Sequence, residues 1–88
     1  MPFTETHFIQ ISPNPAKEIL NVVYNIPDSS PFVELRLYNS LGALVLVKEL
    51  ATSQIQEQIS IGKLNSGFYV WEVLSLGKRL ESGKLIVR

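Results

Sequence analysis

Eighty-eight residues, 45% hydrophobic and 18% charged, make one globular domain with a modest core and no room for a second. Eight basic and eight acidic side chains cancel, which removes the global field that binding to nucleic acid or an anionic membrane would use. There is no cysteine to form a disulfide, and no apolar run approaches the roughly 18 residues that span a bilayer.

Met1 to His7 is polar and reads as a linker remnant or scar, without the basic and apolar regions of a signal peptide. Any amino-terminal export address is therefore expected on a longer parent chain. Residues 1–10 are assigned to this linker or to the lead-in of a first strand, and residues 11–88 to the domain proper. Phe8-Ile9-Gln10-Ile11 is a candidate short strand. Two prolines then exclude a central strand from Ser12-Pro13-Asn14-Pro15-Ala16-Lys17-Glu18, which reads as a stiff bend. Ile19 to Ile26 is rich in β-formers, with Leu20, Val22, Tyr24 and Ile26 on one face. Five turn-formers, Pro27 to Pro31, follow it.

Val33, Leu35 and Leu37 alternate with Glu34, Arg36 and Tyr38, a strand half buried on one side. Asn39-Ser40-Leu41-Gly42 closes it, with Gly42 free to take positive φ. Ala43 to Leu50 is apolar on both faces at Leu44-Val45-Leu46-Val47, so a central or covered position is expected. Ala51 to Gln54 is a loop. Ile55, Glu57, Ile59 and Ile61 then alternate with polar residues. From Gly67, Tyr69, Trp71 and Val73 alternate with Val70 and Glu72, and Phe68 falls outward. Gly77-Lys78 suits a type II′ hairpin turn into a last strand ending Lys84-Leu85-Ile86-Val87-Arg88. Four basic residues against Glu81 from Gly77 onward read as a solvated hairpin. No window carries a helical stripe. Six or seven strands at this spacing predict an all-β, immunoglobulin-like antiparallel sandwich.

Chemistry-bearing constellations are sparse. His7 is the single histidine and Asp28 the single aspartate, so nitrogen–sulfur metal sites, calcium loops and Ser-His-acid triads have no ligand or base set. There is no phosphate loop, and no cofactor is expected. Glu57 and Glu72 are the candidate carboxylates for a glycosidase pair, and a place facing solvent or paired with a lysine suits each better. Tyr69 and Trp71 cannot share a sugar-stacking face with Phe68, so core packing is expected for them. The chain reads as non-catalytic.

The order Pro13-Asn14-Pro15-Ala16, then Leu37-Tyr38-Asn39 with Gly42, then Leu64-x-x-Gly67-x-Tyr69, then Lys84-Leu85-Ile86-Val87 resembles the type A C-terminal sorting domain of the type IX (Por) secretion system of Bacteroidota. The likeness runs from about Ile11 to Arg88. Asn39, where an aspartate is common, and Ala43, where a basic residue often follows the glycine, are small departures. The resemblance implies a seven-stranded sandwich closing a larger secreted protein. It implies transit through the periplasm, export by an outer-membrane translocon with its shuttle protein, and removal by a sortase-type peptidase at the cell surface. Lys84, Leu85, Ile86, Val87 and Arg88 would carry the recognised signal, with Pro13, Asn14, Pro15, Gly42, Gly67 and Tyr69 structural.

Physically, a terminal strand suits recognition either as an edge for a partner strand or as a peptide captured by its end. Leu85 and Val87 would anchor it while Lys84 and Arg88 face outward. The isolated domain is expected to be a monomer or a weak dimer through an edge strand, with no membrane span. The alternative reading is a carbohydrate-binding, adhesion or spacer module of a secreted enzyme.

Overall fold

A computed structural model describes residues 8–25, 32–51 and 56–88. The linker at Met1 to His7, the turn at Pro27 to Pro31, most of the loop at Ala51 to Gln54, and the inward positions expected for Ile26 and Ile55 lie outside the described residues. Seven strands make up the rest: β1 (Phe8–Ser12), β2 (Ile19–Asn25), β3 (Val33–Asn39), β4 (Leu44–Glu49), β5 (Gln56–Ser60), β6 (Gly67–Ser75) and β7 (Lys78–Val87). They form two antiparallel sheets, ordered β1-β2-β5 and β4-β3-β6-β7. This is the expected all-β sandwich.

Strand alternation builds the core. Leu20, Val22 and Tyr24 of β2 face Val33, Leu35 and Leu37 of β3, Tyr69, Trp71 and Val73 of β6, and Leu85 and Val87 of β7, all buried. Each aliphatic side chain removed from water in this way contributes about 1.5–3 kcal/mol before the entropy of ordering it is counted. Both buried phenols find acceptors. Tyr24 donates to the Ala51 carbonyl at 2.8 Å, and Tyr69 donates to the Asn65 carbonyl at 2.7 Å. Burial, and secondarily the Glu57 carboxylate, raise the Tyr24 pKa above the ordinary phenol value. The Tyr69 bond runs back four residues and pins the entry to β6, as a tyrosine corner does in related sandwiches.

The turn after β3 is a local design. Asn39 Oδ1 accepts from the backbone N–H of Leu41 at 2.9 Å and of Ala43 at 3.0 Å, while Gly42 takes φ +85°. A carboxylate oxygen would accept the same two bonds, so asparagine in place of aspartate preserves the turn.

Two expectations are corrected. β4 is neither central nor covered: it is an edge strand, with Leu44, Val45 and Val47 exposed and only Leu46 packed against the core. An apolar run on both faces is the mark of a doubly buried strand, but β4 follows a tight turn from β3 and, among the described residues, pairs with nothing beyond it. Lys48 and a register shift opposite Leu37/Tyr38 blunt the edge. The last hairpin turns on Leu76-Gly77 and not on Gly77-Lys78. Ser75 pairs with Lys78, and φ is +52° at Leu76 and +81° at Gly77, giving a type I′ turn. The twist of the strands favours that turn even with leucine at its first position. Because a left-handed leucine costs about 1–2 kcal/mol, Leu76→Asn is expected to stabilise the domain by about 0.5–1 kcal/mol in urea unfolding.

Candidate functional site

The sequence between β1 and β2 runs along the outer edge of β7. Its two prolines have no N–H to give, so Asn14 and Ala16, alternating with them, supply the partners. Both peptide bonds preceding the prolines, Ser12-Pro13 and Asn14-Pro15, are cis. The Asn14 side-chain amide donates to the Lys84 carbonyl at 3.1 Å, and its Oδ1 accepts from the Ile86 N–H at 3.0 Å. Ala16 N–H donates to the Ile86 carbonyl at 2.8 Å, and Arg88 N–H donates to the Ala16 carbonyl at 2.7 Å. Ala16 and Val87 thereby form an isolated parallel bridge, with Ala16 wholly buried. Four successive outward-pointing backbone groups of the last strand are thus satisfied by this strap. Asn14→Ala removes two of those bonds at an exposed site. It is expected to cost about 1–2 kcal/mol in denaturant unfolding and to raise self-association through the bared edge in sedimentation.

The side chains of β7 divide cleanly. Leu85 and Val87 point inward and are buried, while Lys84, Ile86 and Arg88 are exposed. Across the ladder Ile86 pairs with Phe68 and Lys84 with Val70. Phe68, Val70 and Ile86 therefore form one outward apolar patch, 42%, 37% and 46% exposed. Lys84 Nζ lies 5.8 Å from the Phe68 ring centroid, a cation–π contact that holds the ammonium over the patch. Phe68, which the alternation left outward, is part of this surface.

Farther across that face, β3 and β6 carry charges, with exposed Leu44 and Val47 of β4 at the far edge. Arg36 pairs with Glu34, and Glu72 accepts from the Tyr38 hydroxyl at 3.1 Å while Arg79 lies 3.7 Å from its other oxygen. The hydrogen bonds that Arg36 donates to Tyr38 and then Glu34 raise its pKa further. Charges here satisfy one another. Glu72 sits on this outer face whereas Glu57 belongs to β5 of the other sheet, in register with buried Val22, so the two carboxylates do not converge. Tyr69 and Trp71 are buried and separated from Phe68, which leaves no shared aromatic platform. Among the described residues no cluster of His, Asp or Glu could hold a metal ion.

The residue pattern that resembles a sorting tail now has physical roles: strap, turn, corner and terminal strand. A family described as the secretion system C-terminal sorting domain matches residues 10–88. The chain belongs to that family. It is a type IX sorting tail, a non-catalytic class that marks a secreted protein for the cell surface or the extracellular space. No curated protein and no solved structure matches it.

Two structural residues of the sorting domain escape the sequence patterns. Ala16 reads as part of a bend, although it bridges the sheets. Gly83 faces Trp71 across β6 and β7, and a Cβ there would fall 2.7 Å from three atoms of the indole. A glycine inside a strand pattern is the available signal for such a close approach.

Proposed function

We propose that this sorting domain directs a cargo joined ahead of it through the periplasm and across the outer membrane. The translocon or its shuttle protein would read Lys84, Leu85, Ile86, Val87 and Arg88, and a sortase-type peptidase would then remove the domain in the linker ahead of β1. Leu85 and Val87 act by anchoring the strand, and Lys84, Ile86 and Arg88 by facing the receptor. The observation that carries this reading is the division of the end of β7, where Leu85 and Val87 are buried while Lys84, Ile86 and Arg88 are exposed on a stretch held by β6 on one side and the strap on the other. A structural spacer has no need of an apolar residue and two cations displayed together.

The test fuses the 88-residue chain behind a reporter with a periplasmic leader in a bacterium that has type IX secretion. The reporter is expected at the surface or in the medium when the chain is present, and in the periplasm when it is absent. A reporter that stays periplasmic with the chain attached overturns the proposal.

A further inference from the structure

Recognition by a strand of the partner needs a free row of backbone groups on β7. That row is taken. The Lys84 carbonyl, both backbone groups of Ile86 and the Arg88 N–H are bonded to Asn14 and Ala16. The outward face of the same residues is open, and it does not stop at β7: Ile86 continues into Phe68, and Lys84 lies beside Val70. Three neighbouring apolar side chains exposed to between 37% and 46% on a small domain make the contiguous patch that marks a contact surface.

Charge identifies the occupant. On the half of the face away from Arg88, Glu34 pairs with Arg36 and Glu72 with Arg79. On the patch half, neither Lys84 nor Arg88 has a carboxylate partner among the described residues, and Lys84 rests on the Phe68 ring. Two unpaired cations at the rim of an apolar centre complement an apolar surface rimmed by carboxylates.

We propose that the sorting domain docks face-on: Phe68, Val70 and Ile86, rimmed by Lys84 and Arg88, seat against an apolar, acid-rimmed protein surface of the secretion machinery, with the strap keeping the β7 edge closed. This rests on the sorting role proposed above and adds β6 residues outside the terminal strand to the recognised surface.

The experiment uses the same reporter fusion with Phe68→Ser and Val70→Ser together. Both positions are exposed, so the melting temperature is expected to stay within about 4 °C of the parent. Surface reporter is expected to fall about tenfold or more, the loss of a small hot spot. Leu44→Ser with Val47→Ser, more exposed on the same face but separated from the patch by Tyr38 and Arg36 of β3, is expected to export normally. Should the first pair lower the melting temperature further, Phe68→Glu gives the same reading by placing a carboxylate where the partner's own lie. Normal export of the Phe68 and Val70 variants beside a parent fusion that reaches the surface overturns face-on docking. Export that rises when Asn14→Ala bares the edge overturns it as well. A parent fusion that never leaves the periplasm overturns the sorting role instead, and the docking with it.

Discussion

Leu85→Ala is expected to destabilise the domain by about 2–5 kcal/mol, read as a lowered urea midpoint with an unchanged slope. Leu85 is fully buried in the core, on the strand that the strap closes. Truncating it loses transfer energy and leaves a cavity that the strap and β6 hold open. A domain of this size has on the order of 5–15 kcal/mol in total, so much of its stability is at stake. Lys84→Ala, one residue away but outward, is expected to change stability by less than about 0.5 kcal/mol. Equal effects at the two positions would mean that β7 does not divide into an anchoring and a displayed side.

Gly83→Ala is expected to cost about 1–3 kcal/mol, the range for inserting atoms into a packed site. The new Cβ would meet Cε2, Cζ2 and Nε1 of Trp71 at 2.7 Å, and that ring is itself nearly buried and cannot swing away freely. The indole must shift, so its fluorescence is the natural probe alongside denaturation. An alanine variant with parent-like stability and an unchanged Trp71 spectrum would show that the ring is free to move.

The sandwich and most of its core were legible because alternation is a local signal. Leu20, Val22 and Tyr24, Val33, Leu35 and Leu37, and Tyr69, Trp71 and Val73 all face inward, as their spacing requires. Position within a sheet is not local. The run Leu44 to Val47 has the composition of a covered strand, yet its place at an edge depends on which strands pair with β3. The turn at Leu76-Gly77 was missed by one residue because the ladder registers of β6 and β7, and not the glycine alone, set the loop.

The candidate site was legible in part. Inward Leu85 and Val87 and outward Lys84 follow from period two, and Phe68 from the same count on β6. The strap did not. Pro13 and Pro15 mark a bend in any sequence, whereas the bonds from Asn14 and Ala16 span some seventy residues and exist only in the folded chain. The family motif and the geometry meet here: an asparagine between prolines is positioned to close a strand edge with its side chain.

The proposed address is the outward side of the last strand, on a fold held by that strand's inward side. The most direct measurement is export of the reporter fusion carrying Lys84→Ser, Ile86→Ser and Arg88→Ser together, compared with the parent at matched melting temperature. All three side chains are exposed, so the sandwich is expected to fold and the reporter to remain in the periplasm. A folded triple variant that delivers its reporter to the surface as well as the parent would contradict the account.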